Sequence, residues 1–96
     1  MFHDAKSFNR SIDHWKTHTV TNMNGMFMGA KKFNSDISNW DVQNVQSMRD
    51  MFAETFNFNQ PIGKWNVKSC RDMRFMFSKA KTFKQKINNW KGPAAK

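Results

Sequence analysis

The stretch FNSDISNWDVQNVQSM, residues 33–48, repeats its apolar positions on both sides at an interval of 25 residues. Phe33 returns as Phe8, Phe58 and Phe83, Ile37 as Ile12, Ile62 and Ile87, and Trp40 as Trp15, Trp65 and Trp90. Immediately beyond it, Met51-Phe52 has the counterparts Met1-Phe2, Met26-Phe27 and Met76-Phe77. An unvarying interval in the range of 20–50 residues is the signature of a stacked repeat. No turn of the pattern carries an insertion, so the surface it builds is uniform. Such a surface suits a scaffold better than an enzyme, which needs an irregular pocket.

Within this stretch and its continuation, Val45, Met48 and Met51-Phe52 fall at i, i+3, i+6 and i+7. That stripe predicts a short helix at about 44–55, with equivalents at about 19–30 and 69–80. Ala30 and Ala80 extend the stripe by a turn, and the lysines that follow suit a helix C-terminus. Ile37, Trp40 and Val42 favour extended chain and predict a short strand between residues 37 and 42 of each repeat. Pro61 allows the third of these strands to begin no earlier than Ile62. The expected architecture is an α/β repeat: a right-handed, leucine-rich-repeat-like solenoid of about four 25-residue turns, each a short helix plus a short strand. Its turns run about 1–25, 26–50, 51–75 and 76–92, one domain over 1–92 with a short tail at 93–96.

The Asn that follows each Phe has a part in this scheme. If like residues stack, Asn9, Asn34 and Asn59 form a ladder whose side-chain amides satisfy backbone groups where the chain turns. Lys84 interrupts the ladder in the last repeat, as befits a terminal turn. Trp15, Trp40, Trp65 and Trp90 form a second expected ladder.

The phrase F-N-x-x-I-x-x-W-x-V-x-x-V-x-x-M-x-x-M-F-x-x-A resembles the short repeat of mycoplasma-type lipoproteins and other bacterial surface proteins, a pattern related to BspA-like leucine-rich repeats. The likeness covers residues 1–92. Thr17 and Gly92 depart from it where a Val follows the Trp, Cys70 where a second Val stands, Thr55 at the Ala and Lys84 at the Asn. The resemblance implies a non-catalytic module for adhesion or protein interaction, placed on a cell surface or secreted, although the chain opens without a secretory signal. It assigns no catalytic residue.

The chain has 10 Phe and 4 Trp, with Leu and Tyr both absent. Aromatics at fixed spacing exclude a disordered chain, and no apolar run reaches the ~18 residues of a membrane span. Net charge is +9 and unevenly placed. Residues 26–50 balance three basic against three acidic side chains, whereas residues 76–96 carry six lysines and no acid. A basic patch of this kind either keeps the surface solvated or meets an anionic surface or RNA. His14 and His18 have the i, i+4 spacing of a helical metal pair, but Trp15 and Thr17 mark an extended or turning segment, so they and His3 read as surface residues. Cys70 takes the register of Val20 and Val45 and reads as a small buried apolar residue. No catalytic residue, cofactor or metal site is expected.

Candidate contact residues are those the register does not explain. Phe56 stands where Lys6, Lys31 and Lys81 do, and Phe75 where Gly25 and Asp50 do. Phe56 has two readings: a contact residue, or repacking beside the Thr55 departure. Lys79, Lys81, Lys84 and Lys86 form the second candidate, able to meet phosphates without reading sequence. The raw ends at Met1-Phe2 and Trp90 predict cover by a partner protein or by neighbouring repeats. The expected role is a non-catalytic repeat scaffold making protein–protein or adhesion contacts. The alternative is a basic component of an intracellular assembly, a ribonucleoprotein, touching RNA through the C-terminal lysines.

Overall fold

Turns, not helices, carry the three-residue apolar spacing. In a computed structural model describing residues 5–87 and 90, Met26, Met28 and Ala30 each donate their N–H to the carbonyl three residues earlier. The N–H groups between them point elsewhere. Met23, Gly25, Phe27 and Gly29 donate to Ser47, Arg49, Met51 and Ala53, at 2.9, 2.8, 3.0 and 2.9 Å. Met48, Asp50, Phe52 and Glu54 do the same to Asp72, Arg74, Met76 and Ser78. An N–H committed to the neighbouring segment is lost to an i→i−4 helical bond.

Positive φ angles recur in step with these turns. Gly25, Asp50 and Phe75 have φ of 61°, 58° and 59°, and Gly29, Glu54 and Lys79 have 77°, 60° and 58°. A left-handed residue every fourth position cannot belong to a right-handed helix. The helices expected at 19–30, 44–55 and 69–80 are therefore absent. Two residues separated by three close a β-turn as readily as one face of a helix, and the sequence spacing does not distinguish them.

The strands expected between residues 37 and 42 are also absent. Trp40 donates its N–H to Ile37 at 3.1 Å, which closes a turn where extension was expected, and the equivalent bonds join Trp15 to Ile12, Trp65 to Ile62 and Trp90 to Ile87. Around Ile62 the turn tightens to a 3-10 helix, Ile62–Lys64, the only helix among the described residues. Among the described residues, sheet pairing is confined to isolated parallel bridges, Asn22 to Ser47 and Ser47 to Asp72. The α/β, leucine-rich-repeat-like solenoid is thus overturned. The molecule is a small compact globule of 32 × 26 × 19 Å, built from turns. The expected tail at 93–96, the end at Met1-Phe2, His3 and Gly92 lie outside the described residues.

The 25-residue interval persists as a packing register. Phe33 stacks on Phe8 and Phe58, with centroids at 5.8 and 5.6 Å, and Phe58 on Phe83 at 5.8 Å. Phe52 stacks on Phe27 and Phe77 at 5.8 and 5.6 Å. The two columns meet face to face, Phe27 on Phe33 at 4.0 Å and Phe52 on Phe58 at 4.2 Å. Near-parallel rings at these distances are in the offset-stacked range. Each buried Phe contributes about 1.5–3 kcal/mol from burial alone. Trp40, Trp65 and Trp90 are buried beside these columns, and each indole N–H donates back to an Ile carbonyl, Ile12, Ile37 and Ile62, at 3.0, 3.1 and 3.0 Å. That bond lets a polar indole edge sit in an apolar interior.

Side chains of Asn, Asp and Thr hold the turns on the surface. Asn9 Oδ1 accepts from Asn34 N at 2.8 Å, Asn34 Oδ1 from Asn59 N at 2.8 Å, and Asn59 Oδ1 from Lys84 N at 3.0 Å. Lys84 donates the last rung through its backbone N–H, and its side chain has no acceptor to offer in turn. Asp36, Asp41, Asn66 and Asp72 each accept from the N–H two residues on, the Asx-turn bond that favours a turn over a helix.

Candidate partner-binding surface

Phe75 is the exposed large apolar side chain among the described residues, at 64%. It ends the Met73–Met76 turn's middle pair, where φ must be positive, and its ring points away from the core that Met73 and Met76 join. Gly25 meets the same requirement without a Cβ. A bulky side chain in this conformation is strained and, being exposed, regains nothing from burial.

Beside it lies an open cleft of ≈ 460 Å³ lined by Arg71, Asp72, Met73 and Arg74. Arg74 grips Asp72 with two bonds, Nε to Oδ1 at 3.0 Å and the terminal nitrogen to Oδ2 at 2.9 Å. These bonds, with that from the Arg74 backbone N–H, hold the Asp72 carboxyl down at about 2. A lowered carboxylate pKa contributes stability that is complete above the ordinary value of 3.8 and is lost as pH falls through about 2. Titration of the Asp72 carboxyl carbon by NMR is expected to show a midpoint near 2. In an Arg74→Ala variant the midpoint is expected to rise towards 3.8, and an unmoved midpoint would dismiss the fork.

Phe56 has a different setting. Its ring is half-buried and lies under two ammonium groups, Lys81 at 4.4 Å and Lys31 at 5.3 Å from the centroid. Contacts of this type contribute about 0.5–1 kcal/mol at exposed sites. The neighbouring Thr55 is fully buried and donates its hydroxyl to Phe52 O at 2.6 Å, so the departure from Ala is absorbed by a local bond. Phe56 thus sits in a lysine column as its aromatic platform. The sequence already placed Lys31, Phe56 and Lys81 in one register, and that was the signal for the contact.

Lys79, Lys81, Lys84 and Lys86 are all exposed, and none forms an ion pair with a described residue. The structure does not gather them into one constellation with the aromatics. Lys81 joins Phe56, Lys84 ends the Asn ladder, and Lys79 lies on the segment of Phe75. Arg71 lines the cleft and stands apart from these lysines' contacts.

The remaining reactive groups are dispersed. His14 and His18 are exposed on a segment without helix, and among the described residues no three His, Cys, Asp or Glu side chains lie together to hold a metal. Cys70 is fully buried, and burial pushes its thiol upward, away from the thiolate form. No helix among the described residues is long and apolar enough to cross a membrane.

Compared with known proteins, the chain matches the family described as "Mycoplasma protein of unknown function, DUF285" over residues 1–95. No curated protein and no solved structure matches it.

Proposed function

We propose, for a chain that belongs to the Mycoplasma family of unknown function DUF285, a non-catalytic role as a repeat scaffold that binds another protein. Within that reading the repeat is of the 25-residue surface-protein type, supported by the Phe, Trp and Asn registers. The observation that carries the proposal is Phe75, which is exposed and holds a positive φ that glycine fills in the first repeat. Neither property helps folding, and both suit an aromatic anchor presented to a partner. The turns around it are tied to the neighbouring segment by backbone bonds, so little ordering is left for association to impose.

Phe75→Gly separates contact from folding. Relief of the left-handed strain, about 1–2 kcal/mol, offsets the extra chain entropy of glycine, about 0.4–1 kcal/mol. Thermal stability is therefore expected to be unchanged or slightly higher, while protein captured by the immobilised wild-type chain is lost from the variant. Capture that persists as salt rises supports protein contact. Capture of nucleic acid that vanishes steeply with salt and is insensitive to Phe75→Gly would overturn the proposal in favour of RNA contact through the lysines.

A further inference from the structure

The lysine register carries one aromatic residue. Lys6, Lys31, Phe56 and Lys81 occupy equivalent places in successive repeats. Bonds to the backbone hold them in line: Lys32 N donates to Lys6 O and Asn57 N to Lys31 O, each at 3.2 Å, and the Thr82 hydroxyl donates to Phe56 O at 2.6 Å. Phe56 therefore has a rung on either side. Lys31 reaches over its ring from one rung and Lys81 from the other, at 5.3 and 4.4 Å from the centroid. Among the described residues no carboxylate pairs with Lys6, Lys31 or Lys81.

We propose that the Lys31–Phe56–Lys81 column docks an acidic segment of a partner protein, lying extended across the rungs with two carboxylates on the two ammonium groups. The proposal rests on the protein-binding reading above and specifies the partner's chemistry at a second place on the surface. An ammonium on a four-carbon stem is ordinarily free to sweep, and ordering it on association opposes binding. Here the negative face of the Phe56 ring gathers both lysines before a partner arrives. The ring attracts the ammonium groups without neutralising them, so each keeps its charge for an anion.

Spacing and the state of the ring select the occupant. Successive rungs are 5.6–5.8 Å apart where the Phe33 column stacks. Lys31 and Lys81 stand two rungs apart and lean inward over the residue between them. That brings their charges towards the separation of alternate side chains on an extended peptide, about 6.4–6.8 Å. Lys6 continues the positive column by one rung, so a further carboxylate on the same segment is attracted as well. Nucleic acid fits less well, because single strands add base stacking on exposed aromatics to phosphate contact. The Phe56 ring already has ammonium groups over it and is no open platform for a base.

The test follows the fluorescence anisotropy of a labelled 12-residue peptide, Glu alternating with Thr, on titration with the full chain. The double variant Lys31→Gln, Lys81→Gln is expected to weaken binding by about tenfold or more. Lys16→Gln with Lys68→Gln removes the same charge from exposed lysines of other registers, and is expected to change binding by about twofold or less. Phe56→Leu, its fold checked by tryptophan fluorescence, releases both lysines and is expected to weaken binding about two- to fivefold. Absence of binding, equal losses in the two lysine pairs, or undiminished binding of the Gln version of the peptide would each overturn the proposal. So would tighter binding of a single-stranded oligouridylate through Lys31 and Lys81. Protein capture that depends on Phe75 but survives Lys31→Gln with Lys81→Gln would remove this column alone. Nucleic acid captured in place of protein would remove the protein-binding reading with it.

Discussion

Phe52→Ala is expected to remove about 3–5 kcal/mol of folding stability, at or near the whole of what so small a domain possesses. Phe52 is fully buried and touches four aromatic rings: Phe27 at 5.8 Å, Phe58 at 4.2 Å, Phe77 at 5.6 Å and, tilted, Trp65 at 6.2 Å. Its removal opens a cavity where the two Phe columns meet. The surrounding rings cannot close it, because their positions are set by backbone bonds to the segments on either side. Urea titration followed by tryptophan fluorescence would show the transition moved into the absence of denaturant. A loss below about 1 kcal/mol would mean that the columns are not packed as described.

Gly63→Ala is expected to cost about 1–3 kcal/mol through overpacking. A Cβ on Gly63 would come within 2.2 Å of the Lys86 carbonyl oxygen, and that obstacle is backbone, unable to swing aside as a side chain would. Ser38 occupies the same register one segment earlier, so the register itself does not demand glycine. The demand comes from the close approach of the last segment to the 3-10 turn Ile62–Lys64. The measurable signs are a lower denaturant midpoint and faster amide exchange around Phe83 and Ile87, which lean on Phe58 and the core. A midpoint equal to wild type would place Lys86 farther from Gly63 than the structure has it.

These two positions show how differently the sequence exposes its packing and its local form. Phe52 belongs to a row readable at sight, since Phe27, Phe52 and Phe77 recur at 25 residues and the rings do stack. Gly63 is not readable in this way, because its neighbour Lys86 is 23 residues away and nothing in the spacing marks the contact. The Met48–Met51–Phe52 stripe misled in a third way. Apolar residues at i and i+3 satisfy a helix face and the two ends of a β-turn alike. The recurrence of Gly25 and Gly29 four residues apart was the available sign of left-handed backbone, but Asp50, Glu54, Phe75 and Lys79 at the same registers concealed it.

The surface was legible to the same limited extent. Phe75 stood out because a glycine register held an aromatic, and Phe56 because a lysine register did. Their different fates, one ring in solvent and the other under Lys31 and Lys81, depended on neighbours that only folding supplies.

By itself the amino-acid order determined which side chains share an interior column, because a burial requirement repeated every 25 residues can be met in register only by like meeting like. The tertiary structure decided how the backbone travels between those columns. Each N–H has one partner to choose, and the choice between its own carbonyl four residues back and a carbonyl on the next segment turned on the energy of neighbours that local spacing does not contain.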